Sequence, residues 1–312
     1  MTLDAQAKGL LDALTAQGMK SFEQMTVPES RETAQAFIGL QGDAEAVGEI
    51  SDETIAVAGG KIPVRIYRPT GAGPHPVMMY FHGGGFVFGD LGIVDKVCRT
   101  WCNAAQAAIV SVGYRKAPEH TFPTAAEDCY AATSWTVENA KRLGLDGQRI
   151  AVCGDSAGGN LATVVAMMAR DRKGPKIVYQ MLVYPVTDVG GDYPSRTENG
   201  EGYMLTSAAM KWFIGHYLPN PGDAENAYAS PIRGNLKGLP PATVVTAGFD
   251  PLRDEGDAYA KALSSAGVAV EHLRNPSMIH GFMWVMGVIG HARGVYDQAG
   301  QHLRRAFSAR TA

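Results

Sequence analysis

The chain has 312 residues, of which 46% are hydrophobic and 19% charged, with 37 glycines and 17 prolines. This composition excludes a disordered, collagen-like or coiled-coil protein, and the length favours one large domain or a core with an insertion. The charges sum to 28 − 31 = −3, so there is no basic surplus for binding nucleic acid.

Cysteine content and hydropathy limit the cellular setting. The four cysteines are too few for a disulfide scaffold, and no Cys-x-x-Cys pair indicates a zinc site. No apolar run approaches the roughly 18 residues of a membrane span. The first residues carry an acid and lack the basic segment that opens a signal peptide. We therefore expect a soluble, cytoplasmic protein without metal or cofactor. The cysteines are Cys98, Cys102, Cys129 and Cys153.

Two amphipathic helices are predicted before the core. Leu10, Leu11 and Leu14 fall on one helical face. Thr26–Glu29 then matches a capping box with proline in the first turn, which predicts the start of a second helix. We expect residues 1–45 to form an N-terminal helical cap.

Apolar strands alternate with helices over most of the remaining chain. The predicted strands are Glu53–Ala58, Lys61–Tyr67, Pro76–Phe81, Ala107–Val112, Ile150–Cys153, Ile177–Val183, Ala242–Ala247 and Val268–Leu273. The predicted helices are Ile93–Cys102, Ala125–Ala140, Ala157–Arg170, Asp257–Ala266 and a last one containing Val295 to Phe307. This alternation predicts an α/β fold with a mostly parallel sheet of about eight strands, covered by helices on both faces.

The alternation stops between Asp188 and Tyr217. Glycine-rich loops there precede a short aromatic helix, Thr206–Tyr217. We interpret this stretch as an insertion that packs with the N-terminal helices into a lid. The predicted organisation is an N-terminal cap (1–45), a core (46–187), a cap insertion (188–217) and the rest of the core (218–312).

The segment Gly154–Gly158 fits the pattern G-x-S-x-G and lies between a predicted strand and a predicted helix. A nucleophile elbow belongs in this context, because the sharp turn lifts the serine clear of the sheet. Glycines two residues before and after Ser156 avoid the clashes that side chains would cause there. A glycine-rich turn with Ser156 as a helix cap is the structural alternative.

A second glycine-rich segment, His82–Phe86, follows the strand that ends at Phe81. Consecutive glycines leave backbone N–H groups free to approach a ligand closely. The N–H groups of Gly83 and Gly84, with that of Ala157, are therefore predicted to form an oxyanion hole. The phosphate-binding pattern G-x-x-x-x-G-K-S/T is absent.

The base and the acid of a catalytic triad are predicted from the order of the elements. Of the eight histidines, His280 lies in the loop just after the last predicted strand, whereas His291 and His302 lie in or beside the C-terminal helix. This loop is at the sheet edge where open α/β folds place their chemistry. Asp250 directly follows the strand Ala242–Ala247 and gives the order Ser…Asp…His with Ser156. Asp188 is the alternative acid, and a helix cap is the structural alternative for Asp250.

Taken together, these motifs resemble those of the hormone-sensitive-lipase-like esterases, bacterial esterase family IV, within the α/β-hydrolase superfamily. A further match is Tyr114–Glu119, which is similar to the family's YRLAPE segment. Lys116 stands where leucine is usual, and Thr121 where a proline is common. The matching segments are His82–Phe86, Tyr114–Glu119, Gly154–Gly159, Asp250–Glu255 and His280–Phe282.

This resemblance implies the α/β-hydrolase fold and hydrolysis of small-molecule esters with short to medium acyl chains, without cofactor or metal. It also implies an N-terminal lid and a homodimer paired through the edge of the last strand, Val268–Leu273. An amidase, a lactonase or an arylformamidase with the same triad, or a non-catalytic ligand-binding relative, remain alternatives. Aromatic residues expected to line the substrate pocket are Phe86, Phe88, Tyr203, Trp212, Phe213 and Tyr217.

Overall fold

An eight-stranded sheet organises the computed structural model, which describes residues 2–309. The strands lie in the order β1-β2-β4-β3-β5-β6-β7-β8, and only the pairs β1/β2 and β2/β4 are antiparallel. The predicted α/β-hydrolase sheet of about eight mostly parallel strands is thereby confirmed. The strands are β1 (Glu49–Val57), β2 (Gly60–Arg68), β3 (His75–Phe81), β4 (Ala108–Val112), β5 (Leu145–Asp155), β6 (Ile177–Val183), β7 (Ala242–Phe249) and β8 (Val270–Ile279).

Helices cover both faces of this sheet. They are α1 (Ala5–Ala16), α2 (Val27–Ala34), α3 (Asp95–Ala105), α4 (Thr124–Leu143), α5 (Ala157–Asp171), α6 (Pro194–Glu198), α7 (Ser207–Tyr217), α8 (Arg253–Ser265) and α9 (His291–Ser308). Helices α3 and α9 pack together over one face, and α4 and α5 pack together over the other. The central strands β3, β4 and β5 are consequently buried on both sides and apolar.

Helix α2 begins with the predicted capping box. The Thr26 hydroxyl accepts the N–H of Glu29, and the Glu29 carboxylate accepts the N–H of Thr26 at 2.7 Å. The α-helix ends at Ala34, and the apolar residues that follow belong to a 3₁₀ helix, Gln35–Leu40.

Two differences from the predicted elements matter for the site. Strand β8 runs to Ile279 rather than Leu273, since Asn275 and Ile279 still pair with β7. Helix α6 was not predicted, because its five residues are too few to show a helical period.

The N-terminal segment and the 188–217 stretch pack against each other above the sheet. The rings of Phe22 and Phe213 lie 5.4 Å apart, and Phe22 stacks on Phe88 at 4.9 Å. This contact joins the two pieces predicted to form the lid. The boundaries of the four predicted segments stay a prediction.

Strand β8 forms one edge of the sheet. The N–H of Asp4 donates to the carbonyl of Ser277 at 3.0 Å, so the N-terminal segment covers the last part of this edge. Pairing of a second copy along the earlier part of β8 stays a prediction. None of the helices between residues 2 and 309 is long and apolar enough to cross a membrane.

Candidate active site

Ser156 occupies the turn between β5 and α5 in a strained backbone conformation, with φ 55° and ψ −119°. Such a conformation is rare for a residue with a side chain and marks a functional constraint. A side chain at Gly154 would overlap the carbonyl of Gly158, and one at Gly158 would overlap the carbonyl of Phe81. The turn can therefore form only because both positions are glycine.

Three predicted residues meet at the carboxyl ends of the strands. The Nε2 atom of His280 lies 3.0 Å from the Oγ of Ser156, and its Nδ1 lies 2.7 Å from the Oδ2 of Asp250. Asp250 is fully buried, and His280 is 8% exposed. The second oxygen of Asp250 accepts the N–H of Leu252 at 2.8 Å, so one carboxylate both orders its own turn and contacts the imidazole.

The other histidines of the core have partners elsewhere. His302 contacts Thr243, and His291 contacts Asn275. His82 is fully buried beside the glycine loop, and burial lowers its pKa to about 3. The histidine whose ring contacts Ser156 is His280, at the end of β8.

The alternative acid, Asp188, lies in a different ion pair. Its carboxylate accepts a hydrogen bond from Arg233 at 3.0 Å and another from Tyr193 at 3.1 Å. The carboxylate that contacts the imidazole is that of Asp250.

The glycine loop requires a correction to the predicted oxyanion donors. The N–H of Gly83 already donates to the Oδ1 of Asp155 at 3.2 Å, and Gly83 is buried beneath the cavity. The prediction of Gly83 as a free donor is therefore wrong. Gly84 and Gly85 border the cavity, and neither N–H has an acceptor among the described residues. The N–H of Ala157, first in α5, has no acceptor one turn back in its helix.

A cavity of about 740 Å³ opens over Ser156 and His280. It is mostly apolar, as expected of a small-molecule site. Three of the six predicted pocket residues, Phe86, Phe88 and Phe213, line it.

The other three predicted pocket residues lie outside the cavity lining. The ring of Tyr217 is fully buried and stacks on Phe86 at 3.8 Å, so it supports the wall from behind. Trp212 packs against Phe213, and Tyr203 against Phe249. These three predictions are wrong. Helix α7 presents only one of its faces to the cavity, which excludes Trp212 and Tyr217, and Tyr203 precedes this helix in a loop whose ring packs on Phe249 instead.

Several lining residues were not predicted from the sequence. Phe22 and Phe37 reach the cavity from the N-terminal segment, and Tyr184 and Trp284 from the strand ends. Tyr184 has a positive φ of 33°, and its ring lies 4.7 Å from that of His280. The only sequence signal for it is its position directly after an apolar strand.

Comparisons with known proteins agree with this geometry. A sequence profile described as alpha/beta hydrolase fold matches residues 78–284. The chain is 44% identical over 242 residues to the carboxylic ester hydrolase LipN of Mycobacterium tuberculosis, covering 75% of this chain and 64% of LipN. It is 41% identical over 266 residues to the carboxylesterase NlhH of the same organism, covering 83% of each.

A solved structure is similar over almost the whole chain. The hyperthermophilic esterase from the archaeon Pyrobaculum calidifontis superimposes with a TM-score of 0.94 at 40% identity, covering 99% of this chain and 100% of that one. The profile and the relatives together support the resemblance that the motifs indicated. The chain therefore belongs to the hormone-sensitive-lipase-like esterases of the α/β-hydrolase superfamily.

Proposed function

We propose that the protein is a serine carboxylesterase that hydrolyses esters with short to medium acyl chains through a Ser156–His280–Asp250 triad. The observation that carries this proposal is the continuous chain of contacts Asp250–His280–Ser156, at 2.7 and 3.0 Å, under an apolar cavity. The names of the relatives, carboxylic ester hydrolase and carboxylesterase, point to the same chemistry.

In the first half-reaction, the Oγ of Ser156 attacks the ester carbonyl carbon while the Nε2 of His280 takes its proton. The Nδ1–H of His280 donates to Asp250, whose buried charge orients the ring and stabilises the imidazolium. The imidazolium then protonates the departing alkoxide, and the acyl group remains on Ser156.

The tetrahedral intermediate carries a negative charge on the former carbonyl oxygen. The N–H groups of Gly84, Gly85 and Ala157 are the proposed donors to it, and removal of one such donor costs about 3 kcal/mol of transition-state stabilisation. In the second half-reaction, His280 deprotonates a water that attacks the acyl carbon, and Ser156 leaves with the returned proton.

The cavity supports a preference for acyl chains of modest size. Its volume of about 740 Å³ must hold the acyl and the alcohol groups together, and aromatic rings such as Phe88 and Phe213 close it. A long acyl chain would need to leave the enclosed space, which exposes its methylene groups to water again.

The test is hydrolysis of p-nitrophenyl esters from acetate to palmitate by the parent and by Ser156→Ala. We expect the highest kcat/KM at short to medium chains, and a loss of at least about a thousandfold in the variant. Ser264→Ala, at an exposed site, is the matched control and should be fully active. A folded parent that hydrolyses amides or lactones but no ester would overturn the proposal, as would an active Ser156→Ala.

A further inference from the structure

Helix α6 of the inserted stretch lies directly against the turn that carries Asp250. The N–H of Ser195 donates to the carboxylate of Asp254 at 2.8 Å, and its hydroxyl donates to the carbonyl of Pro251 at 2.8 Å. Glu198 accepts a hydrogen bond from Arg253 at 2.7 Å. The turn formed by residues 248–255 is thus hydrogen-bonded to the inserted stretch 188–217 as well as connected to the sheet.

Asn199 makes the contact closest to the catalytic acid. Its amide nitrogen donates to the carbonyl oxygens of Gly248 and of Asp250, at 3.2 Å each. The side chain is 5% exposed, so water does not replace these bonds easily. One amide group therefore binds the carbonyl of Asp250 itself and the carbonyl two residues before it.

The other side of α6 faces the substrate cavity. Arg196 and Thr197 both line it. Arg196 also forms a 2.6 Å ion pair with Glu255, which is fully buried. A single turn of helix thus connects the wall of the cavity with the backbone of the catalytic acid.

We propose that Asn199 is a positioning residue, which acts on the reaction by holding the backbone of Asp250 so that its carboxylate stays aligned with His280. The proposal rests on the triad proposed above. Loss of the amide removes one donor from each carbonyl: the Asp250 carbonyl keeps only the N–H of Arg253 at 3.1 Å, and the Gly248 carbonyl keeps only the Arg253 guanidinium at 3.4 Å. The backbone at these two carbonyls is then held by Arg253 alone and can shift. Displacement of a catalytic group by 1 Å can cost about a hundredfold in rate.

The test compares Asn199→Ala with Asn226→Ala on p-nitrophenyl butyrate, with kcat and KM measured from pH 5 to 9. Asn226 follows the cap insertion, is exposed, and its side chain accepts a hydrogen bond from the nearby N–H of Tyr228. We expect kcat to fall about tenfold in Asn199→Ala with little change in KM. The apparent pKa that limits kcat on the acidic side of its pH profile should fall as well, because a misaligned carboxylate stabilises the imidazolium less. Asn226→Ala should match the parent.

A second comparison separates positioning from general damage. In an Asp250→Ala background, Asn199→Ala should lower kcat by less than about twofold, because the group through which it acts is gone. An equal tenfold fall in both backgrounds would overturn the proposal, as would a rise in KM alone. If Asn199→Ala does not fold, Asn199→Ser, which keeps one donor, enters the same two comparisons. Full activity of Asp250→Ala would instead contradict the triad itself.

Discussion

The N–H of Gly83 donates to the same carboxylate oxygen of Asp155 that accepts the Tyr80 hydroxyl, at 3.2 and 2.5 Å. Asp155 directly precedes Ser156, whereas Gly83 directly precedes the two glycines that border the cavity. One buried carboxyl group thus fixes the glycine loop to the nucleophile turn. The distance between Ser156 and the proposed oxyanion donors depends on this contact.

Asp155→Asn should change how stability depends on pH. Burial raises the pKa of Asp155 from its usual 3.8 to about 6, so the folded protein binds this proton more tightly than the unfolded chain. The resulting stabilisation is fully present below pH 3.8 and is lost as the pH rises through about 6. We therefore compare the free energy of unfolding of the parent with that of Asp155→Asn. The parent's value minus the variant's value should decline as the pH rises from 3.8 to about 6.

Urea unfolding at a series of pH values measures this difference. The exposed Asp192 gives the control variant Asp192→Asn, which should follow the parent at every pH. A difference that does not vary between pH 4 and 7 would show that the ionisation of Asp155 is not linked to folding.

Gly84→Ala should remove most activity. The residue has φ 113°, and a Cβ there would overlap the backbone of Phe88, so the loop must move and its N–H leaves the proposed position. We expect kcat/KM to fall about a hundredfold. Gly294→Ala is the control, since Gly294 lies in α9 with open space around it; it should keep full activity and gain up to about 1 kcal/mol of stability. Equal activity of the two variants would contradict the assignment.

Arg31→Met should weaken the connection between the N-terminal cap and the glycine loop. The guanidinium of Arg31 donates to the carbonyls of Val87 and Ala117 at 3.0 Å, and forms two bonds of 2.7 Å with Glu119. We expect the free energy of unfolding to fall by about 1 to 3 kcal/mol, and kcat to fall severalfold because Val87 follows the oxyanion donors.

Arg142→Met provides the comparison for Arg31→Met, since Arg142 forms a surface ion pair with Glu53. An exposed pair of this kind contributes at most about 1 kcal/mol. Similar kinetics and melting temperatures for both variants would show that Arg31 has no special role.

Tyr184→Leu should lower activity by removing a ring that packs beside His280. The Tyr184 and His280 rings lie 4.7 Å apart with their planes at 57°, within the range where an aromatic ring stabilises a cation. Removal of the ring costs about 1 kcal/mol of imidazolium stabilisation, or about fivefold in kcat/KM.

Tyr184→Phe keeps the ring and removes a hydroxyl that has no hydrogen-bond partner among the described residues. This variant should reproduce the parent in both rate and pH profile. If Tyr184→Phe and Tyr184→Leu behave alike, the ring does not act on His280.

Local patterns predicted the elements that position the catalytic groups. The apolar run Ile177–Val183 predicted β6 to the residue, and the strand-turn-helix context of Ser156 was sufficient to place it at a strained elbow. The approximate ends of β7 and β8 placed Asp250 and His280 at the same edge of the sheet. Such inferences succeed because the carboxyl ends of parallel strands always lie together, whatever the distance between them in the chain.

The amino-acid sequence by itself determined which strands the proposed catalytic residues follow: Ser156 comes after β5, Asp250 after β7 and His280 after β8. Only the tertiary structure decided which backbone N–H groups stay free, because this depends on Asp155 binding Gly83 and leaving Gly84 and Gly85 without acceptors. It also decided which cap residues face the cavity, since helix α7 turns Phe213 inward and Tyr217 behind the wall. Hydrogen-bond competition and helix rotation are properties of packing between distant segments, and no local pattern encodes them.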